Sequence, residues 1–559
     1  MSERIRIVAL GGLDEEGKNC TVVQIGDDIF VVDCGVRFPD RTMPGIDYVV
    51  PDFTWLIENK AKIKAYLLTH GHDDQIGALA YLYGAAPAPI YASKSTILMF
   101  KLFNRHVGKE DVKYDFHEIA PSSSQQIAGR KVTFFQTAHN VARSSGVAIS
   151  TAQGSIVFSG DYVIENNADP AFYCDLNAVA RLAEQPTLVL LSESGYADRS
   201  GYTAPHYKLR PVIEQTAKNA PGRIFVSIFS INFYNVHEIV QLAIELKKRV
   251  IPYDAQTDEL LRTMVESGEI QLPKENYAPT DDLIRYRDTD ILVLMLAFGE
   301  KLYKKMAGLA RDMQEDKRYS LKESDTFIAA APSNPNTEVE ATDALDALYR
   351  SGCHVLNCTS KMFCNMHASE EDLKMMISLL KPKYYVPVKG LFKNLLCNAK
   401  LALSMGVGLT HSNVFVLDNG ASLLIEEDGS AHVMDEKIPH GDVMIDGIGV
   451  GDVGGDVLQD RQKLAEGVVV LAVTISKGEK RIVGGPDVQM RGFVFLKDSE
   501  MILREVSKIF VQTVNEFLDP KVPYNLDEIK QNVYEKCLRS IRRQTGKEPM
   551  VLPLLVEVA

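Results

Sequence analysis

The feature that most constrains the fold is an apolar run at residues 65–68, followed directly by Thr69 and by His-Gly-His-Asp-Asp at residues 70–74. The apolar run predicts a buried strand, which places the polar residues in the loop at its end. Two histidines one residue apart, with a carboxylate two residues further on, can point to one side of an extended loop. Zinc and manganese take such imidazole and carboxylate ligands at hydrolytic sites. The pattern therefore predicts a metal site, and a polar turn without a metal is the alternative.

Other predicted strands also end in polar residues. Strands are predicted at 29–33, 131–136, 155–159 and 187–191, and chemistry at successive strand ends is typical of α/β enzymes. The strand-end residues able to bind metal are Asp33, His70, His72, Asp74, His139 and Asp161. They form a candidate set for two ions, in which one aspartate bridges the pair. Asp33 is interpreted as orienting the loop, and a direct ligand role is the alternative.

Length and composition indicate a multidomain protein of the cytoplasm. The chain has 559 residues, which is too long for one core and predicts about two to four domains. The sequence has no apolar run of the ~18 residues that a membrane helix needs, and it begins directly with a predicted strand rather than a signal peptide. Its eight cysteines are scattered without a Cys-x-x-Cys pair, which favours a reducing compartment over a disulfide framework.

The charge balance does not by itself predict a nucleic-acid partner. The formal net charge is −13, and nucleic-acid-binding domains are usually basic. A local basic groove within an acidic protein can still follow a phosphate backbone. Composition therefore leaves RNA open as a partner.

The pattern of elements changes along the chain. From about residue 210, strands and helices alternate, which predicts a doubly wound parallel unit. Residues 426–442 are polar and acidic and are interpreted as a linker. Residues 443–559 predict a smaller α+β unit with two long helices.

Several motifs in order give the chain a family resemblance. The stretch at 70–75, followed by a single His139 and a single Asp161, resembles the His-x-His-x-Asp-His pattern and later motifs of the metallo-β-lactamase superfamily. An inserted segment and a final Lys-Pro-Lys-Tyr-Tyr-Val-Pro-Val at 381–388 narrow the resemblance to the β-CASP nucleases, and in particular to the ribonuclease J family. Residues 201–203, 445–454 and 491–494 carry further motifs of that family.

The resemblance implies an α/β fold: a four-layer metallo-β-lactamase domain, an inserted β-CASP α/β domain and a small α+β C-terminal domain. The domain bounds that follow are 1–208 and 353–425 for the two parts of the first domain, 209–352 for the insertion, 426–442 for the linker and 443–559 for the C-terminal domain. It also implies 5′→3′ exonucleolytic and some endonucleolytic cleavage of RNA with a 5′-monophosphate end, using zinc or manganese.

The resemblance also assigns metal ligands, and two of them are replaced here. It implies that the first ion is held by His70, His72, His139 and Asp161, while Asp74 serves the second ion and catalysis. Gln75 and Lys389 stand where the family has the second ion's histidines. A neutral amide is a poor zinc ligand, and a lysine ammonium has no lone pair to offer. We therefore expect one ion per chain at most.

Lys389 has two interpretations. In the first, its charge replaces the missing ion and pairs with Asp74 and Asp161, which would otherwise repel each other. In the second, it is a lysine that drifted into a relaxed site and points to the surface.

The substrate pocket departs from the family pattern as well. The family's His-x-Ser-Gly-His is here Phe363, Cys364, Asn365, Met366 and His367. His367 keeps the acid–base role that the family implies, while Phe363 cannot carry a proton and Met366 adds bulk where backbone should approach a phosphate. Glu193 matches an acidic residue at the start of the insertion and is assigned a role in the site.

These departures point to a degenerate member of the family. The first hypothesis is a weakly active metal-dependent ribonuclease that works in RNA decay and maturation, as a homodimer or hetero-oligomer with an active ribonuclease J paralogue. The second is a non-catalytic scaffold, or an RNA-holding subunit, of the same complex. A hydrolase of small esters is disfavoured by the inserted and C-terminal domains.

Overall fold

A computed structural model of the chain describes residues 3–40, 42–165, 169–203, 209–333, 337–362, 366–447, 449–492, 496–519 and 522–559. Within these ranges, no helix combines the length and the apolar character that a membrane crossing needs. The described chain divides into two compact units, Met1–Arg37 with Val50–Asp442 and Phe38–Val49 with Val443–Ala559.

Strands and helices both occur along the described part of the chain. The strands are β1 (Ile5–Gly11), β2 (Cys20–Ile25), β3 (Asp28–Val32), β4 (Tyr48–Pro51), β5 (Ile63–Leu67), β6 (Ile90–Ala92), β7 (Phe116–Glu118), β8 (Ser123–Ile127), β9 (Arg130–Thr137), β10 (Ser144–Thr151), β11 (Gly154–Phe158), β12 (Thr187–Glu193), β13 (Ile224–Phe229), β14 (Arg249–Pro252), β15 (Ile291–Ala297), β16 (Thr326–Ala330), β17 (His354–Asn357), β18 (Tyr384–Val388), β19 (Ser422–Ile425), β20 (Ala431–Val433), β21 (Asp442–Asp446), β22 (Gly449–Val450), β23 (Val468–Ser476), β24 (Arg481–Arg491) and β25 (Met550–Val558). The helices are α1 (Thr54–Glu58), α2 (Asp73–Ile76), α3 (Leu79–Leu82), α4 (Lys94–His106), α5 (Leu176–Leu182), α6 (Leu209–Lys218), α7 (Phe233–Glu245), α8 (Ala255–Ser267), α9 (Glu300–Ala310), α10 (Glu338–Arg350), α11 (Glu370–Leu380), α12 (Phe392–Ser404), α13 (Gly455–Ala465), α14 (Leu496–Phe517) and α15 (Leu526–Thr545).

The first unit is built around two sheets that pack face to face. One has eight strands in the order β20-β19-β1-β2-β3-β5-β6-β7, and the other has six in the order β18-β12-β11-β10-β9-β8. Their shared core includes Phe30 and Leu67 from the first sheet and Phe134 and Ile149 from the second. Burying one such side chain stabilises the fold by about 1.5–3 kcal/mol, so this core fixes the two sheets against each other.

Side-chain alternation gives the six-stranded sheet a second buried face. Phe135 follows Phe134 along β9 and points to the opposite side, where it joins a cluster with Val157 and Leu190. Helices α5, α11 and α12 supply the other half of this cluster, with residues such as Leu373. Helix α4 lies beside β7 of the eight-stranded sheet. The layers are therefore those expected of the family resemblance.

A separate five-stranded sheet is inserted into this arrangement. Its order is β14-β15-β13-β16-β17, and every neighbouring pair is parallel. Strands β12 and β18 pair directly with each other, although the five strands lie between them in the chain. The buried residues Phe225 and Phe327 of the sheet pack with Leu302 of α9 and Leu348 of α10.

Two predicted boundaries differ from the structure. Strand β17, at His354–Asn357, pairs with β16, so the inserted sheet extends past the predicted end at residue 352. Within the predicted linker at 426–442, β20 pairs with β19 as an edge strand of the eight-stranded sheet. Polar composition predicted a linker there because an edge strand exposes most of its side chains. The other predicted domain bounds stay predictions.

The second unit has a three-stranded sheet in the order β24-β23-β25, and a smaller sheet in the order β22-β21-β4. Strand β23 runs antiparallel to β24 and parallel to β25. One face of the larger sheet, with Val469 and Leu471, packs against Phe510 of α14 and Val533 of α15. The outward residues of β25 remain exposed, and they are Leu552, Leu554, Val556 and Val558.

Candidate metal centre

The centre lies where the strands of the two large sheets end. The loop after β5 carries His70 and His72, and α2 then begins at Asp73. His139 follows β9 and Asp161 follows β11. The three imidazole rings are brought together, with centroids 4.7–5.0 Å apart. Residues far apart in the chain therefore meet at one edge of the fold.

Two of these histidines are oriented by backbone carbonyl groups. His139 Nδ1 donates to the carbonyl oxygen of Met366 at 2.6 Å, and His72 Nε2 donates to that of Ile231 at 3.0 Å. Since a carbonyl can only accept, each bond fixes the proton on the outer nitrogen. The inner nitrogens, His139 Nε2 and His72 Nδ1, then face each other at 3.3 Å with their lone pairs. Two lone pairs at this distance repel unless a cation lies between them.

The third histidine is oriented through a hydroxyl group. Thr69 Oγ1 is 3.0 Å from His70 Nδ1 and 2.8 Å from Asp33 Oδ2, and the Thr69 amide donates to Asp33 Oδ1 at 2.8 Å. Burial raises the pKa of Asp33 to about 8, although Thr69 and Lys389 oppose this. His70 Nε2 has no hydrogen-bond partner among the described residues. When Asp33 is ionised, the Thr69 hydroxyl donates to it and accepts from His70 Nδ1, which leaves the lone pair on Nε2.

Asp161 completes the donor set. Its Oδ2 lies 3.6 Å from both His70 Nε2 and His139 Nε2. Burial lowers the pKa of all three histidines, which keeps them in the neutral form that binds metal. Three imidazole nitrogens and one carboxylate are a set that zinc and manganese accept. The residues at this first position therefore fit one divalent ion.

The second position has a different composition. Asp74 Oδ2 accepts from Asn19 Nδ2 at 3.1 Å and lies 3.4 Å from Lys389 Nζ. Lys389 also forms an ion pair with Asp161. Gln75 is buried, and its Oε1 has no hydrogen-bond partner in the described part of the chain. An ammonium group between the two carboxylates does not fit a second metal ion.

The charges around Lys389 support its ionised form. Burial opposes the charge, but the carboxylates of Asp161, Asp74 and Glu193 outweigh this and raise the pKa of Lys389. Burial alone would raise the pKa of Asp161, but Lys389 and His367 hold it well below its usual range. Lys389 thus contacts the two carboxylates named from the sequence, and does not point to the surface.

His367 lies beside the first position and is held by Glu193. Its Nδ1 donates to Glu193 Oε2 at 2.7 Å and is 3.8 Å from Asp161 Oδ2. The other carboxylate oxygen of Glu193 accepts from the amides of Tyr162 and Ala368, at 2.7 and 3.1 Å. Burial favours a neutral His367, but the neighbouring Glu193 and Asp161 raise its pKa. This histidine can therefore carry a proton next to the metal ligands.

The predicted substrate-binding stretch is described only in part. Phe363, Cys364 and Asn365 lie outside the described residues. The side chain of Met366 is buried in an apolar cluster with Phe172 and Tyr234, so it does not support direct contact with a substrate. What Met366 contributes to the centre is its carbonyl oxygen, which orients His139.

Comparison with known proteins identifies the family. The sequence model of the metallo-beta-lactamase superfamily matches residues 13–197, and that of the ribonuclease J C-terminal domain matches residues 456–558. The protein named Ribonuclease J 2 in Staphylococcus epidermidis is 32% identical over 557 residues, or 99% of this chain and 98% of the relative. Ribonuclease J 2 of Staphylococcus aureus is 32% identical over 555 residues, with the same shares covered. This chain belongs to the ribonuclease J family.

Membership of the ribonuclease J family confirms the predicted resemblance to its second paralogue and the predicted fold class. A crystal structure of a protein of unknown function from Enterococcus faecalis V583 is 16% identical, with a TM-score of 0.50 over 77% of this chain and all of that one. At this identity the likeness shows the fold alone.

Three contributors to this ribonuclease J centre were not predicted from the sequence. Thr69 and Asn19 hold the loop residues, yet both look like ordinary polar turn residues in the sequence. The carbonyl oxygen of Ile231 orients His72 from another part of the chain. A signal for Thr69 existed, since it directly precedes the first histidine. Backbone carbonyls carry no signal at all, because every residue has one.

Proposed function

We propose that this chain is a weakly active, metal-dependent ribonuclease of the J type that works mainly as a subunit beside an active paralogue. The observation that carries the proposal is the contrast between the two positions of the centre. Ligand atoms of His70, His72 and His139 cluster at the first position, with Asp161 Oδ2 3.6 Å from two of them, while Lys389 lies between the carboxylates at the other. Family membership supports RNA as the substrate.

The first position supports some activity. His70, His72, His139 and Asp161 would hold one ion, zinc or manganese, which when bound would polarise a phosphodiester for attack by water. Asp74 is the more exposed of the two carboxylates beside Lys389 and is assigned to accept a proton from that water. His367, held by Glu193, is assigned to donate a proton to the leaving oxygen.

The second position supports the prediction that activity is weak. Two-metal hydrolases stabilise the attacking and leaving oxygens with separate ions. Here Lys389 offers a charge and hydrogen-bond donors but no open coordination position for an oxygen. Cleavage therefore proceeds with less stabilisation of the leaving group.

The C-terminal sheet supports a role in an assembly. Alternate residues of β25 form an apolar row on its outer face, and Leu554 and Val556 are 50% and 54% exposed. Contiguous apolar surface of this kind marks interaction sites. We assign this face to contact with a second ribonuclease J chain, the same or the active paralogue.

Turnover of 5′-monophosphorylated RNA tests the catalytic part. The purified chain, His70→Ala, Asp74→Ala and the matched control His411→Ala, an exposed histidine outside the centre, are compared with zinc and with manganese. Slow turnover in the parent and in His411→Ala, and its loss in both site variants, is expected. Equal turnover in all four would indicate a contaminating nuclease. No turnover in any would favour the non-catalytic subunit, which holds RNA or stabilises its partner.

Mass measurement tests the assembly part. Leu554→Asp with Val556→Asp is expected to shift the chain towards monomers, alone and when mixed with an active paralogue. Ile284→Asp is the control, because Ile284 is exposed at a distant place in the sequence and belongs to the first unit. Unchanged masses for the double variant would contradict the assignment of this face.

A further inference from the structure

A protein side chain occupies the second cation position. Lys389 forms an ion pair with Asp161 and has its Nζ 3.4 Å from Asp74 Oδ2. Its side chain is 16% exposed, whereas that of Lys393, a few residues further along the chain, is 65% exposed. Two carboxylates this close repel each other unless a positive charge separates them. Lys389 supplies that charge.

The backbone holds Lys389 in place at a conformational cost. Its φ angle is +63°, in the left-handed region that residues with a Cβ rarely adopt. On one side Val388 pairs with Glu193 in the six-stranded sheet. On the other, Gly390 forms isolated bridges with Leu13 and Glu15. A strained residue that is fixed from both sides points to a functional constraint, which favours substitution of charge over drift.

The carboxylate partners are also preorganised. Asn19 Nδ2 donates both to the Asp74 carboxylate at 3.1 Å and to its carbonyl oxygen at 3.0 Å. The same loop region bridges to Gly390, next to Lys389. A small cavity adjoins the ion pair and is lined in part by Asp33 and Gln75. Hydrogen bonds and the lysine therefore set the geometry of this half of the site.

We infer that Lys389 is the permanent cation of the second position, so that the centre takes one exchangeable metal ion and its second half keeps its structure without metal. This inference deepens the proposed function, and it rests on that proposal for the identity of the site. It implies that the charge of Lys389 compensates for the second ion that was lost with the two histidine ligands. The consequences concern ion count and stability, and both are measurable without RNA.

The test compares bound metal and thermal unfolding of the full chain. Bound zinc and manganese are counted after equilibrium dialysis, and the unfolding midpoint is recorded in chelator and in zinc. The variants are Lys389→Met, which removes the charge at similar length, Lys389→Arg, which keeps it, and the double variant Gln75→His with Lys389→His. Lys393→Met is the matched control, because Lys393 makes an exposed ion pair with Asp198.

The parent, Lys389→Arg and Lys393→Met are expected to bind one ion and to share one midpoint in chelator. Lys389→Met should unfold a few degrees lower in chelator, and zinc should recover more of its midpoint than in the parent. The double variant should bind twice as much metal as the parent.

The inference is overturned if Lys389→Met matches the parent in chelator, or if the double variant still binds one ion. If Lys389→Met does not fold in chelator and Lys389→Arg does, the loss of the charge is the cause, which supports the inference. Equal failure of Lys389→Arg shows a steric role and overturns it. RNA cleavage is not a readout here, so an inactive chain with these ion counts would overturn the proposed function alone.

Discussion

The two halves of the candidate centre share Asp161 and differ in what surrounds it. On one side, Asp161 Oδ2 lies 3.6 Å from the Nε2 atoms of His70 and His139, and imidazole nitrogens can offer a lone pair to a cation. On the other, it faces Lys389, which carries protons and no lone pair. The first half is a set of possible metal ligands without a cation of its own. The second half contains a cation, the ammonium group of Lys389. In the centre that we propose, one carboxylate therefore serves an exchangeable ion and a fixed charge.

If Lys389 replaces the second ion, as we propose, a metal site has lost its ligands without losing its electrostatic balance. Removing histidines alone would leave Asp74 and Asp161 as neighbouring carboxylates in a partly buried site, which is costly. A lysine at the same place restores the charge but cannot coordinate an oxygen as a metal ion does. Under this proposal structure and chemistry are separated, because the second half keeps its fold and gives up its role in stabilising a leaving group.

The largest effect is expected from His139→Ala. This change removes a ligand from the first half and leaves the second half intact, so bound zinc and RNA turnover should both fall by more than about 100-fold, since changes behind the ligands already cost 10–100-fold. Metal analysis measures the bound zinc, and cleavage of 5′-monophosphorylated RNA measures the turnover. Retained zinc in His139→Ala would mean that the first half is not the metal site.

The next largest effect is expected when a chelator removes the ion from the first half, because the second half should not respond. If the ion is present at about a hundred times its dissociation constant, its removal lowers the free energy of unfolding by about 2.7 kcal/mol. Chemical denaturation of the parent with and without chelator measures this difference. His70→Ala should show no response to chelator, and a response equal to that of the parent would contradict the assignment.

Thr69→Val tests whether the hydroxyl of Thr69 orients His70 in the first half. Valine keeps the shape of threonine but removes the hydroxyl between His70 and Asp33, so zinc affinity should fall by about 10–100-fold. Competition with a zinc indicator measures the affinity. Thr69→Ser keeps the hydroxyl and is the control; equal losses in both variants would assign the effect to packing.

The smallest effect is expected from Asn19→Ala in the second half. It removes hydrogen bonds to Asp74 and should lower the free energy of unfolding by about 1 kcal/mol, while zinc affinity stays within about twofold of the parent because Asn19 contacts no ligand of the first ion. Denaturation and zinc competition measure the two quantities. A large loss of zinc affinity would show that the halves are coupled.

The sequence predicted the histidines and aspartates of the centre better than the residues that orient them. Histidines and aspartates at strand ends are rare enough in combination to be recognised, and the family resemblance placed them in order. Thr69 and Asn19 escaped because polar turn residues are common. The end of the insertion was predicted at residue 352, while β17 pairs with β16 beyond it, because a local pattern indicates a strand but not the strand with which it pairs.

The sequence by itself determined the family, the order of the strand-end ligands and the two substitutions Gln75 and Lys389, because these depend on residue type and spacing. Only the tertiary structure decided which nitrogens of His72 and His139 face the centre, since that depends on carbonyls at Ile231 and Met366, far along the chain. It also decided that Lys389 lies between Asp74 and Asp161 instead of in solvent. The direction of a side chain and its distance from its partners arise from the packing of remote segments, and no local sequence pattern contains that information.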